Sequence, residues 1–427
     1  MRRGVLFALL ACLAIPGAVA GATQATPKQK TYTSGTISVP IPDAGTLEQP
    51  ISVPDRGEVV SVQVFVRLEH SNPAYLTLSL VSPTGRVIRL SDRHDVAGTG
   101  YGDGTKDCAG TPTTFDDTAY TDIASGSPPF AGHFRPDQAL SGLKKKRTDG
   151  LWKLRVTAHS VGAVARLYCW GLVLKRYPET LETARSGSTL AQLSYIFRQD
   201  SYSLAYLRLK VFRAGVVRLD KLITNSCRYC VALPSGAYSG NGSLRVRDFD
   251  RDGEPEVLVD LYTGGAHCCF YSLIYRYSGG RYVRLNHFWG DPGYRLADLN
   301  RDGKPEFWSA DDRFAYAFSC FACSGLPVQI WDYKSGRMLN VTRLYPALIR
   351  ADARQWWSAS VYARRVHGDY SGLLAAWLAD QYLQGHGAQG WTQVRAAVAR
   401  PEFKRWWKPA RYLRTLKSFL RRTGYSH

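Results

Sequence analysis

The sequence predicts a mainly β chain: an N-terminal β jelly-roll sandwich, a second β-repeat domain, and a small α-helical region at the C-terminus. Three observations carry this reading. Short alternating runs such as Val59-Val60-Ser61-Val62-Gln63-Val64-Phe65-Val66 recur through residues 34–178. Two acidic loops of identical spacing follow, 50 residues apart, each flanked by strand-like runs. From Pro346 onward the apolar positions recur at helical rather than strand spacing.

Residues 1–22 have the make-up of a secretory leader. Arg2 and Arg3 form a basic start, Val5 to Ile15 an apolar stretch, and Ala18-Val19-Ala20 a small-residue cleavage site. No later run approaches the ~18 apolar residues that span a bilayer, so the expectation is a secreted chain without a transmembrane segment. Eight cysteines lie beyond the leader: Cys108, Cys169, Cys227, Cys230, Cys268, Cys269, Cys320 and Cys323. An even number in an exported chain favours disulfides. Cys108 and Cys169 are a plausible pair within one domain. The cluster Cys227-x-x-Cys230, His267-Cys268-Cys269, Cys320-x-x-Cys323 also has the donors of a zinc site, but thiolates oxidise outside the cytoplasm.

In residues 34–178 the strands Val59–Val66, Leu76–Leu80 and Val87–Leu90 are separated by turn signals, Ser82-Pro83-Thr84-Gly85 among them, a spacing that implies a sandwich or jelly roll. The residues before it, Thr23 to Thr33, read as a polar tail. Glu179 to Ser194, rich in Thr, Ser, Ala and Glu, reads as a linker or short helix. Residues 195–345 form the second β domain, and 346–427 the basic helical region.

The acidic loops read Asp248-Phe-Asp250-Arg-Asp252-Gly253-Glu254-Pro-Glu256 and Asp298-Leu-Asn300-Arg-Asp302-Gly303-Lys304-Pro-Glu306. Oxygen side chains at loop positions 1, 3, 5 and 9, with Gly at 6, can wrap the backbone around one hard cation, calcium being the natural occupant. Asp248, Asp250, Asp252, Glu256, Asp298, Asn300, Asp302 and Glu306 are the candidate side-chain ligands; Glu254 and Lys304 offer backbone carbonyls. Position 12 is Val259 or Ser309, not the Glu of an EF-hand. Turns rich in Asp, Asn and Gly also arise without metal, but two copies in one register favour the cation.

Two resemblances sharpen the picture. Ile41-Pro42-Asp43, Leu78-Ser-Leu80-Val-Ser82-Pro83, Thr114-Phe115-Asp116-Asp117, Pro129-Phe130-Ala-Gly132 and Gly150-Leu-Trp152-Lys-Leu154 together resemble the P/Homo B domain, the jelly roll that follows the catalytic domain of subtilisin-like proprotein convertases. The resemblance implies a module that stabilises a serine protease. Asp116 and Asp117 are candidates for calcium or for structural hydrogen bonds, and the structural role is the expectation. The strand–loop–Pro–strand units resemble the calcium loops of FG-GAP repeats, which build β-propeller blades in larger proteins. The sequence carries none of the subtilisin-type motifs around Asp, His and Ser, no Gly-x-Ser-x-Gly and no His-Glu-x-x-His.

Catalysis by the chain itself is therefore not expected. The expected function is calcium-dependent, adhesion-type binding at or outside the cell surface, with an accessory role beside a subtilisin-like serine endopeptidase as the alternative. The chain carries a formal charge of +20, and from Asn340 to His427 there are 15 Lys plus Arg against 4 Asp plus Glu. For an exported chain this points to anionic cell-wall or glycan surfaces more than to nucleic acid. In the last segment Tyr412, Leu413, Leu416, Phe419 and Leu420 share one helical face opposite most of the basic residues; packing on its own protein is expected over lying on a membrane. The pairs Trp356-Trp357 and Trp406-Trp407 read as core filling, with sugar stacking as the second use.

Overall fold

A computed structural model describes residues 26–94, 98–161, 165–198, 200–201, 203–223, 233–235, 242–264 and 269–426. The secretory leader therefore lies outside the described residues, as do Cys227, Cys230, His267 and Cys268. The chain forms two compact units, residues 23–181 with 194–207, and residues 182–193 with 208–427.

The first unit is a β sandwich. One sheet of nine strands contains, in order, Gly132–Phe134, Thr113–Phe115, Gly57–His70 and Ala165–Ser186, and continues through Thr189–Arg198, Ser203–Arg213 and Val216–Leu222; Lys28–Thr33 and Val39–Pro40 also pair with Ala165–Ser186. The facing sheet is ordered Thr46–Val53, Gly150–Ala158, Leu76–Val81, Val87–Asp92. All pairings are antiparallel except Thr113–Phe115 with Gly132–Phe134. Period-two alternation points Val62, Val64, Val66 and Leu68 of one sheet, and Trp152, Leu154 and Val156 of the other, into a shared core. Trp152 anchors the turn before its strand by donating Nε1–H to the Thr148 carbonyl at 2.8 Å.

Two segments depart from expectation. The polar stretch before residue 34 contributes the strand Lys28–Thr33, whose Tyr32 hydroxyl donates to Asp55 Oδ2 at 2.6 Å. Residues 179–194 are neither linker nor helix: the strand Ala165–Ser186 runs through them, Gly187 turns the chain at φ +54°, and Thr189–Arg198 returns. Their Thr, Ser and Glu residues lie on the second half of a strand, which is half-buried or exposed, unlike its buried first half, and this disguises it as a polar linker.

The second unit contains two antiparallel meanders. The first orders Leu244–Arg247, Glu256–Tyr262, Phe270–Ser278 and Arg281–Gly290, with Leu233–Pro234 added to the Glu256 strand. The second orders Arg295–Ala297, Glu306–Ala310, Val328–Lys334 and Arg337–Asn340. An acidic loop joins the first two strands of each. Phe249, Leu258, Ile274, Trp289, Phe307 and Tyr333 form the core that the two meanders share.

The chain is then helical: α1 (Pro346–Arg365), α2 (Ser371–Leu383), α3 (Gly387–Val398) and α4 (Pro409–Arg422). Helix α2 is buried along most of its length and ends in a Schellman motif: Gly385, at φ +80°, donates to the Tyr382 carbonyl, and His386 donates to that of Gln381. Tyr412, Leu416 and Leu420 of α4 are fully buried against α2 and the 314–318 segment, so the amphipathic face expected in the last segment packs on its own protein. Trp357 sits 4.6 Å from Trp377, and Trp407 donates to the Phe318 carbonyl at 2.8 Å. Trp406 alone of the two tryptophan pairs is exposed, at 45 %.

Candidate metal centre

The two acidic loops have one backbone design. In the first, Asp248 Oδ1 accepts from Asp252 N at 3.2 Å and Oδ2 from Gly253 N at 2.9 Å. In the second, Asp298 Oδ1 accepts from Asp302 N at 3.1 Å and Oδ2 from Gly303 N at 3.0 Å. Asp252 Oδ1 and Asp302 Oδ1 accept from the N–H groups of Glu254 and Lys304. Glu256 Oε2 and Glu306 Oε2 reach back to the N–H groups of Phe249 and Leu299, at 3.1 and 2.7 Å. Both loops pass through the left-handed region twice, at Arg251 (φ +58°) and Gly253 (+88°), and at Arg301 (+63°) and Gly303 (+86°). Arg251 links the loops by donating to the Asp302 carbonyl at 2.5 Å.

Their electrostatics differ. Among the described residues, Asp248, Asp250 and Glu256 form the one group of three or more possible acidic, His or Cys ligands, their carboxylate oxygens all within 4.8 Å of one another. Glu256 is fully buried. Its Oε1 and Asp250 Oδ1 are buried oxygens without a hydrogen-bond partner. Burial, with the negative charges of Asp250 and Asp252 adding to it, pushes the Glu256 carboxyl up to about 8. Such an arrangement costs free energy unless a proton or a cation occupies it.

The remaining acids of this loop turn away. Asp252 pairs with Arg276 at 2.8 Å, which holds its carboxyl below the ordinary range, and Glu254 pairs with Arg213 at 2.6 Å. In the second loop Asn300 replaces the position-3 acid. Its Oδ1 accepts from Asp302 N at 3.0 Å and its Nδ2 donates to Asp302 Oδ2 at 3.1 Å, while Lys304 Nζ stands 3.7 Å from Asp302. That loop closes on itself. Of the ten residues expected from the sequence, the structure thus gathers three into a site. It also supplies shaping groups that the motif does not contain: Ser335, Arg213, Arg276, and Tyr333, whose phenol is pushed up by burial and by Glu256.

The other expected sites resolve as structure. Asp116 accepts from Gln63 Nε2 and from the N–H and hydroxyl of Thr118; Asp117 accepts from the N–H groups of Leu140 and Ser141, each at 2.7 Å. Cys108–Cys169 and Cys320–Cys323 are disulfides, and Cys269 is disulfide-bonded. These sulfurs are therefore not thiolate ligands for zinc.

Comparison with known proteins places two stretches of the chain. Residues 59–174, the heart of the sandwich, match the proprotein convertase P-domain, without an accompanying protease catalytic domain. Residues 349–424, the four helices, match the family described as the sll0997 C-terminal domain. A probable thylakoid lumen protein, sll0997, of Synechocystis sp. is 33 % identical over 154 residues, 35 % of this chain and 45 % of that protein. An uncharacterized protein, y4bJ, of Sinorhizobium fredii is 30 % identical over 158 residues, 36 % of this chain and 25 % of that protein. The chain thus spans less than half the length of both relatives. Among solved structures, a serine protease of Aeromonas sobria is similar at 16 % identity and a TM-score of 0.23, over 35 % of this chain and 27 % of that one.

Proposed function

We propose that this chain is an exported, non-catalytic binding protein whose second unit is rigidified by calcium held at Asp248, Asp250 and Glu256. The observation that carries the reading is the pair of buried, unpartnered oxygens, Asp250 Oδ1 and Glu256 Oε1, beside the Asp248 carboxylate. Hard oxygen donors on a loop with backbone carbonyls at hand suit calcium. Two four-stranded meanders, each with its acidic loop in the same place, support the FG-GAP-like reading of the repeat. Asp298, Asn300, Asp302, Lys304 and Glu306 make the weaker site, because the Asn300 amide is already satisfied within the loop. The disulfides and the lumenal assignment of the Synechocystis relative support an oxidising, extracytoplasmic compartment. The basic helices, whose charge has few surface acids to answer it, would contact anionic wall polymers or glycans.

Calorimetric titration of the mature protein with calcium tests the reading. One high-affinity ion per chain, lost in Asp250→Ala, is expected. Absence of saturable binding contradicts it. The P-domain match favours one second reading, an accessory role beside a serine endopeptidase. Co-purification of an active-site-labelled serine protease from the native secretome would favour that role over free-standing binding.

A further inference from the structure

The helical region carries a cavity of about 520 Å³, lined by Tyr382 at the end of α2, Trp391 and Arg395 of α3, and Leu413, Arg414 and Lys417 of α4. No acidic side chain lines it, and among the described residues none of its three cations is in an ion pair. Converging cations repel one another, so the arrangement favours an anion. The Trp391 indole is held in place, donating Nε1–H to the Tyr382 hydroxyl at 2.7 Å.

The surroundings deepen the positive field. Of the four acids between residues 340 and 427, Asp380 is fully buried. Asp352 accepts from Val328 N and Trp356 Nε1, and Asp369 accepts from the Ser371 N–H and hydroxyl. With Asp380 buried, Asp352, Asp369 and Glu402 stand against 15 basic residues. A lipid surface suits this face poorly, because the apolar side of α4 (Tyr412, Leu416, Leu420) is consumed by the core. Nucleic acid suits it poorly as well, because the disulfides place the chain in an oxidising compartment.

We propose that this cavity binds an acidic oligosaccharide. Arg395, Arg414 and Lys417 would take its carboxylate or sulfate groups, with the apolar face of a sugar ring against Trp391. The volume falls within the range of small-molecule sites. The inference rests on reading the chain as a binding protein. Loss of sugar binding would leave the calcium titration untouched, so the two readings fail separately.

The test is titration of the full mature chain with an oligogalacturonate, followed by tryptophan fluorescence. A neutral oligosaccharide, a single-stranded DNA of matched charge and anionic phospholipid vesicles run in parallel. The wild type is expected to bind the acidic sugar in preference to all three. Arg395→Ala/Arg414→Ala should weaken binding by about tenfold or more, and Arg395→Lys/Arg414→Lys should recover part of it. Lys404→Ala/Arg405→Ala, on an exposed turn outside the cavity, should change it by less than about twofold, with all variants melting as wild type. Equal losses in both alanine double variants would reduce the effect to diffuse charge and overturn the proposal. So would equal or tighter binding of DNA or vesicles, or no binding of the acidic sugar. Should Arg395→Ala/Arg414→Ala fail to fold, Lys417→Gln takes its place, with a severalfold loss expected and no loss overturning the site.

Discussion

Ser335, in the last hairpin of the second meander, donates its backbone N–H to Asp250 Oδ2 at 2.6 Å, across 85 residues of sequence. The contact fixes the carboxylate in the first acidic loop and leaves its other oxygen, Oδ1, beside Glu256 without a partner. Asn300, the corresponding residue of the second loop, turns its amide onto its own loop instead. Near-identical loops are thus made unequal by one substitution and one distant backbone donor.

The two disulfides of known pairing should contribute unequally. Cys108–Cys169 closes a span of 61 residues and Cys320–Cys323 a span of 3. Chain-entropy reasoning assigns about 4 kcal/mol to the first and roughly half of that to the second. Denaturant unfolding of Cys108→Ser/Cys169→Ser should show the larger loss in midpoint, and Cys320→Ser/Cys323→Ser the smaller.

Gly372 sits in the first turn of α2, where alanine would ordinarily favour the helix by about 1 kcal/mol. A Cβ there would lie 2.2 Å from Ser319 Oγ and 2.9 Å from the Cys323 carbonyl oxygen. The hydroxyl can rotate away; the backbone carbonyl, next to a disulfide, cannot. Gly372→Ala is therefore expected to lower the melting temperature by several degrees, the reverse of its effect on an open helix.

His287 packs against Trp289 and Trp331, with ring centroids 4.1 and 4.7 Å away, and its burial lowers the imidazole to about 4 from 6.5. Between those pH values the unfolded chain binds the additional proton. The contribution of the neutral ring to stability is complete above about pH 6.5 and is lost as the pH falls toward 4, with a limiting slope of about 1.4 kcal/mol per pH unit. His287→Gln should flatten this acid limb in stability measured from pH 7 to pH 4.

Much of the fold is legible in the sequence because its signals are local. The alternation in Val59–Val66, the Schellman glycine after α2 and the spacing of Asp248, Asp250 and Glu256 each lie within a dozen residues. The strand Lys28–Thr33 and the second half of Ala165–Ser186 are harder to read because their exposed positions carry polar residues without an apolar counter-rhythm. The motif shows the inequality of the loops only in part, as Asp250 against Asn300. The rest depends on Arg276, brought to the first loop by strand pairing, on Ser335, which reaches it from the other meander, and on Arg213, which draws Glu254 away.

The most direct test of calcium at Asp248, Asp250 and Glu256 is a thermal melt of the mature protein with excess calcium and with chelator, for the wild type, Asp250→Ala and Asn300→Ala. At a hundredfold excess over Kd a single bound ion stabilises by about 2.7 kcal/mol. The wild type and Asn300→Ala should gain several degrees on adding calcium, and Asp250→Ala should gain none. A wild-type melt unmoved by calcium, or a gain that survives in Asp250→Ala, would contradict the site.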